Sequence, residues 1–382
     1  MRILKVILCV LLLSFLFVQC ADVKSVDSLQ FLKTNVNNLS VKVDGKLVTS
    51  AWRINTKLKP DVFTSNKVGK RVTFCSDIDS ISCVLAKNTE FNFGVLVGKD
   101  TAYTQIKYKQ SYLEILKGAS VYNDNDKTNI PKFKYQDPSN AHLALLKKEF
   151  NLDSIAGKGN QISKFIHLMH WVHALVPHDG MHGNPDQRNA LDMISICNKD
   201  NRGLNCRGLA TVLNECYLSM GFKSRFVTCM PKDSIFNDCH VINMVYSDAL
   251  NRWVWMDPTQ DAYVMNEKGE LLGLREVRER LINGKPMILN PDANWNKRVS
   301  ATKENYLYNY MAKNLYRLEC PISSEYNYET HMQGKELQYI QLLPLDAYKQ
   351  TPKFIDSEDN ESEMHYITYK TNNPNDFWAK PM

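Results

Sequence analysis

The 382-residue chain contains no Cys-x-x-Cys pair, no His-Glu-x-x-His, no internal repeat and no low-complexity tract. Its ten cysteines are scattered, so a dense disulfide scaffold is not expected. Charge of one sign is also scarce. Lys and Arg number 47 against 41 Asp and Glu, a net +6, and setting aside Arg2 and Lys5 leaves +4. With no basic run interleaved with aromatics, a nucleic-acid partner is not expected. After residue 20 no apolar run reaches the ~18 residues that a membrane span needs. What remains is ordinary globular composition, 44% hydrophobic and 23% charged, with length for two or three domains.

Residues 1–20, MRILKVILCVLLLSFLFVQC, begin with two basic residues and continue as an apolar run from Val6 to Val18. That is the pattern of a signal peptide. The reading predicts export to the periplasm, the outer envelope or the medium. Cys20 could carry a lipid, as in a bacterial lipoprotein, and is the one expected route to a membrane. Export permits disulfides. Cys75 and Cys83 could face each other across a hairpin centred on Asp79, or be small buried hydrophobes.

From about residue 38 to 118, "LSVKVDGKLV", "RVTFCSDIDSISCVLA", "FNFGVLVG" and "TAYTQIKYK" read as strands separated by turn residues. A β-sandwich domain over 21–122 is expected, acting as a scaffold or docking module. Residues 123–140, polar with two prolines, read as a linker. An α+β domain is expected over 141–382. Its helices include 142–151, 160–176, a short one ending at Cys197, one opening at Cys206, one in "LREVRERLING" and one at 303–316. Strands are expected in "KSRFVTCM", "HVINMVY", "RWVWMDP" and the tail. "DSEDNESE", residues 356–363, reads as a solvated acidic loop.

The helix at Cys206 carries the first chemical cue. Leu209, Val212, Leu213, Cys216, Tyr217 and Met220 form its apolar stripe, with Asn205 as N-cap and Gly221 beyond its C-terminus. A cysteine there faces unpaired N–H groups and the positive end of the helix dipole, which favour thiolate and can hold an oxyanion. Gly203 and Gly208 allow close backbone approach. Alone, such a cysteine is more often structural.

A second cue is local. If His240 opens one strand and Asp257 closes the next, antiparallel pairing with residue numbers summing to 497 sets Tyr246 opposite Asn251 around a four-residue loop, Ser247 to Leu250. His240 and Asp257 then lie side by side, the carboxylate holding one ring nitrogen and leaving the other for a thiol.

"GLNCRGLATVLNECYLSMGFKSRF" followed by "CHVINMVYSDALNRWVWMDPTQD" resembles the transglutaminase-like superfamily of papain-fold thiol enzymes. The resemblance covers about 160–290. It rests on a cysteine on a helix, a Gly-hydrophobe-x-x-Arg exit from Gly221 to Arg225, a histidine opening a strand and Asp-Pro-Thr closing the next. It implies Cys206 as nucleophile, His240 as general base and acid, and Asp257 as orienter. It also implies acyl transfer on a peptide or protein amide through a thioester, without cofactor. Hydrolysis is the expected resolution of the thioester rather than cross-linking to an amine. Trp253 and Trp255 would support the site from beneath. Arg225 would make structural hydrogen bonds near the cleft. For the second oxyanion donor Gln187, Asn189 and Trp171 are candidates. His178, His182 and Asn184 lie on a loop expected to rim the cleft.

Five of nine histidines fall between 167 and 182, but without His-Glu-x-x-His no metal site is expected. Two other classes of function remain open from sequence. One is a catalytically silent binding module that keeps the fold. The other is a surface adhesion protein in which the β domain is the working part.

Overall fold

The computed structural model describes residues 29–119, 121–233, 238–346, 349–359 and 363–382. Residues 1–20, with the expected signal and Cys20, lie outside them. The chain divides into two compact units, one ending at Lys109 and one starting at Gln110.

The first unit is all β among its described residues. Gln30–Thr34, Glu90–Val97, Asp100–Tyr108 and Asp61–Ser65 make one four-stranded sheet, and Lys46–Arg53, Asn38–Val43, Arg71–Cys75 and Ser80–Val84 make another. Leu32, Phe63, Phe93 and Ile106 from the first sheet share one apolar cluster with Leu39, Val41, Val72 and Phe74 from the second. The Asp44-Gly45 pair turns the chain with φ of 48° and 77°, both left-handed, as a tight hairpin requires. Cys75 lies opposite Ser80 and Cys83 opposite Val72, so the two cysteines do not face each other across their hairpin. All eight described cysteines are free thiols.

The second unit is α+β. Its main sheet has seven strands in the order Arg252–Met256, His240–Ser247, Ser224–Met230, Arg317–Pro321, Glu336–Leu342, Met364–Thr371 and Phe354–Asp359. Every neighbouring pair is antiparallel except Glu336–Leu342 with Met364–Thr371. The central strands are buried on both faces, so every residue of "HVINMVYS" is buried rather than alternate ones. One face packs on the helices Gln161–Leu175, Ala190–Asp200 and Cys206–Ser219 through Val245, Val254 and Met256. The other packs Ile242, Met244, Trp253 and Trp255 against Leu274–Asn283 and the π-helical stretch Glu304–Met311.

Three segments differ from expectation. Residues 123–140 do not hang between domains: Asn123 N–H donates to Asn372 O, Lys134 N–H to Ile322 O, and Phe133 and Tyr135 pack on the second unit's core. The unit in fact starts earlier, since Leu116, on the capped helix Tyr112–Lys117, is buried in the same core. Prolines and asparagines there mark an irregular backbone, not a loose one. Asp356 to Asp359 belong to the edge strand Phe354–Asp359, because charged side chains suit an exposed edge.

Candidate active site

The Cys206 helix starts where the sequence pattern sets it. Asn205 caps it, its Oδ1 accepting the N–H groups of Arg207 (3.0 Å) and Gly208 (3.2 Å). Gly221, with φ of 80°, follows the last turn. The loop 177–184 then closes on the start of this helix. Leu204 N–H donates to Pro177 O (3.1 Å) and Asp179 N–H to Leu204 O (2.7 Å). A Cβ on Gly203 would stand 2.4 Å from Pro177 O, and one on Gly208 2.6 Å from Asn184 Oδ1. Asn184 in turn donates to Asn205 Oδ1 at 2.7 Å. The two glycines flanking the cysteine therefore serve the approach of this loop.

His240 and Asp257 meet by a route different in register from the expected one. Ser247 pairs with Arg252 and Met244 with Trp255, so paired numbers sum to 499 rather than 497. The four-residue loop runs from Asp248 to Asn251, because Asn251 takes the left-handed conformation (φ 49°) and donates its N–H to Asp248 O. A shift of two residues leaves every side chain on its own face. His240 and Asp257 remain neighbours, on the diagonal, with His240 Nε2 2.6 Å from Asp257 Oδ2. Both are fully buried.

Asp257 is held from every side. Thr259 and Gln260 N–H groups donate to Oδ1 at 2.8 and 3.3 Å, and the Tyr306 hydroxyl donates to Oδ2 at 2.5 Å. Burial alone would raise its carboxyl; the His240 charge and these hydrogen bonds outweigh that and hold it below the ordinary value. His240 is likewise opposed by burial but raised overall, by the Asp257 charge and hydrogen bond and then by Cys206. Nε2 is committed to Asp257, so Nδ1 is the nitrogen left for the thiol and lies 3.5 Å from the Tyr310 hydroxyl.

Cys206 responds to this setting. Burial works to raise its thiol, but hydrogen bonds with His178 and His240, the His240 charge and the Val241 N–H bring it down to about 6. Cys83, Cys197, Cys216, Cys229 and Cys320 are all pushed up by burial, and Cys239, beside His240, is pushed up to about 11. Among the described cysteines only Cys206 is shifted toward thiolate.

The other candidate residues separate. His178 is bridged to Leu204, two residues before Cys206, and helps to lower its thiol. Gln187 is exposed, and its neighbour Arg188 donates its backbone N–H to the Thr330 hydroxyl. Asn189 caps the helix Ala190–Asp200 and also bonds Tyr326 and Asn327, so its amide is used structurally. Trp171 packs on Phe150 at 5.4 Å between ring centres. None of these three brings a donor to Cys206. Trp255 does lie behind the site, edge-on to Tyr306. Trp253 and Arg225 lie elsewhere. The Arg225 guanidinium sits 4.0 Å from the Phe133 ring centre and 4.5 Å from that of Trp253, and donates to Phe377 O at 2.6 Å. It stands at the far end of its strand from Cys229, the residue opposite His240, and so not near the cleft.

The model of the transglutaminase-like superfamily matches residues 148–258, from before the Gln161–Leu175 helix to the turn that follows Asp257. This stretch is a transglutaminase-like domain. Solved structures with local similarity include a protein of Cytophaga hutchinsonii described as a candidate cysteine protease and LapG of Legionella pneumophila. The first is 21% identical with a TM-score of 0.24, over 34% of this chain and 39% of that one. The second is 11% identical with a TM-score of 0.25, over 46% of this chain and 89% of that one. The chain thus spans well under half of the first relative's length. No curated protein matches.

Sequence reasoning missed Tyr306, Tyr310, Trp295 and Asn296. Tyr306 and Tyr310 come from the stretch expected only as a helix. Its π-helical turns bring residues four apart nearly into line, and both hydroxyls reach the His240–Asp257 pair of the transglutaminase-like domain. Of the histidine-rich segment, His167 and His173 bond the backbone carbonyls of Ala156 and Pro258. His170 pairs with Asp261, and together with Asp292 their ligand atoms lie within 4.8 Å of one another, the one group among the described residues whose side chains could converge on a cation.

Proposed function

We propose that the second unit is a cysteine-dependent acyl-transfer enzyme acting on amide bonds, with hydrolysis as its normal outcome. The observation that carries this reading is the buried His240–Asp257 pair, Nε2 to Oδ2 at 2.6 Å, together with a Cys206 that alone among the described cysteines is drawn toward thiolate, in part by the His240 charge.

The chemistry follows from the groups present. The Cys206 sulfur adds to the substrate carbonyl carbon, and the C=O electron pair moves to oxygen. The Cys206 N–H, at the first turn of the helix, is one donor to that oxyanion. His240, protonated and held by Asp257, gives its proton to the departing amine as the C–N bond breaks. Neutral His240 then takes a proton from water, which attacks the thioester, and the acid leaves with Cys206 restored. Asp257 keeps Nε2 occupied, so that proton traffic runs through Nδ1.

The proposal extends to the rest of the chain. We read the first unit, with two four-stranded sheets on one core, as a β-sandwich that positions or recruits substrate. Residues 1–20 are read as an export signal, tested by sequencing the N-terminus of the protein recovered from its native cells.

The function itself is tested by acid-quenching the protein after brief exposure to p-nitrophenyl acetate and mapping the product by mass spectrometry. The reading expects an acetyl group on the Cys206 peptide that is absent in Cys206→Ser, and free acetate on longer incubation. Adding a primary amine distinguishes outcomes: steady conversion to the acetamide in place of acetate would replace hydrolysis by transamidation. No acyl group on Cys206 would refute the enzyme reading in favour of a silent binding module.

A further inference from the structure

We infer that His178 supplies the second oxyanion-hole donor of this site, through Nε2–H, and that Trp295 is the positioning residue that fixes the proton on that nitrogen. The inference rests on the thiol-enzyme reading above and names a part of its machinery that Gln187, Asn189 and Trp171 do not supply.

The Trp295 indole N–H lies 3.1 Å from His178 Nδ1. An indole nitrogen can only donate. His178 Nδ1 must therefore accept, which means it carries no proton. A neutral imidazole with Nδ1 bare has its hydrogen on Nε2. The bridge between His178 and Leu204 brings this residue to the Cys206 end of the helix, where it helps to hold the thiol low, and Nε2–H is the donor the ring has to offer there. His240 and His178 thus flank one sulfur in opposite capacities: His240 exchanges a proton with it, whereas His178 keeps its own.

The placement of His178 is over-determined. Asn296 clamps its backbone from both sides, accepting the His178 N–H at 2.7 Å and donating to its carbonyl at 2.9 Å. The same loop bridges to Leu204, two residues before the nucleophile. Trp295 sits in a small hairpin, Asn294–Trp295 paired with Val299–Ser300. That hairpin is tied to the core by Asn294, whose Oδ1 lies 3.1 Å from His173 Nε2. His173 Nδ1 in turn bonds Pro258 O, in the turn after Asp257. One connected set of hydrogen bonds therefore sets the positions of both His178 and the Asp257 turn.

The geometry suits an oxyanion. When the sulfur bonds to a carbonyl carbon, the oxygen that gains the electron pair lies within about 3 Å of that sulfur. A donor held at the start of the Cys206 helix, beside the thiolate it helps to stabilise, is placed to serve that oxygen. With the Cys206 N–H on the other side, the oxyanion gains two donors. As the adduct collapses, C=O re-forms, the amine leaves with the proton from His240, and His178 ends as it began.

Two measurements test this. Long-range 1H–15N correlation on 15N-histidine-labelled protein should give His178 a protonated Nε2 and a bare Nδ1, and Trp295→Phe should dissolve that pattern. In parallel, p-nitrophenyl acetate turnover is compared with iodoacetamide alkylation of Cys206, well above the thiol's own pKa. Alkylation forms no oxyanion. His178→Ala should lower turnover about 10²–10³-fold while the alkylation rate there stays nearly unchanged. His178→Gln, which keeps an N–H donor, should recover part of the loss, and Trp295→Phe should fall between wild type and His178→Ala. Protonation of Nδ1 in the wild type, or an equal loss of turnover and alkylation in His178→Ala, would overturn the inference while leaving Cys206 a nucleophile. An alkylation rate no faster than that of a free thiol, and indifferent to His240→Ala, would overturn the underlying reading instead.

Discussion

Replacing Gly203 by alanine probes whether the loop bearing His178 is held against the start of the Cys206 helix by backbone contact. The added Cβ would stand 2.4 Å from Pro177 O, 2.8 Å from Asp179 Cβ and 3.2 Å from Asp179 N. The carbonyl is backbone and cannot rotate away, and ordinary contact needs 3.4 Å or more. The 177–179 segment must retreat by about 1 Å, and the Leu204–Pro177 and Asp179–Leu204 backbone hydrogen bonds are lost or stretched. At about 0.5–1.5 kcal/mol each, they sum to about 1–3 kcal/mol. Alanine regains about 0.4–1 kcal/mol by stiffening the unfolded chain. The net expectation is a loss of about 1–2 kcal/mol, and a Tm lower by about 2–8 °C on thermal melting. At a pH below the lowered Cys206 value of about 6, alkylation of Cys206 should slow as well, because with His178 drawn off less of the thiol is ionised. Gly183→Ala is the matched control, since nothing lies within 4 Å of its Cβ position. A Gly203→Ala protein with the melting point and thiol reactivity of the Gly183→Ala control would refute the reasoning.

Other expectations follow from the same geometry. Turnover of an ester or amide should rise with pH through the lowered Cys206 value, about 6, because the thiol must ionise. It should fall as pH passes the raised His240 value, because neutral His240 cannot protonate the leaving group. A single ascending limb near the free-thiol value of ~8.5 would contradict it. Tyr306→Phe removes a donor to a buried carboxylate and should cost about 1.5–3 kcal/mol in urea unfolding, whereas an unchanged midpoint would mean the bond contributes nothing. Asn205→Ala strips the cap from the Cys206 helix and should cost about 0.5–2 kcal/mol by the same assay.

The parts of the site legible in the sequence are those that local chemistry specifies. The Cys206 helix was readable because its cap, stripe and terminal glycine all lie within the segment. His240 and Asp257 were readable because a hairpin joins them, and the two-residue error in register did no harm, since strand side chains alternate with period two. The error itself arose from turn chemistry: Asn251 was assigned to a strand, whereas its left-handed backbone makes it the last residue of the turn. What stayed hidden comes from distant chain. Tyr306 reaches Asp257 across 49 residues and Trp295 reaches His178 across 117, and no local periodicity encodes such pairs. Position along the chain points to Gln187, Asn189 and Trp171 as second donors. Asn189 proved to be a helix cap, the commoner use of asparagine before an apolar stripe.

The central claim is that Cys206 and His240 form an ion pair. The most direct measurement is the alkylation rate of Cys206 against pH, resolved by mass spectrometry, in wild type and in His240→Ala. The account predicts fast alkylation persisting well below the free-thiol pKa of ~8.5 and lost in the variant. A rate that follows an ordinary thiol titration in both proteins would contradict it.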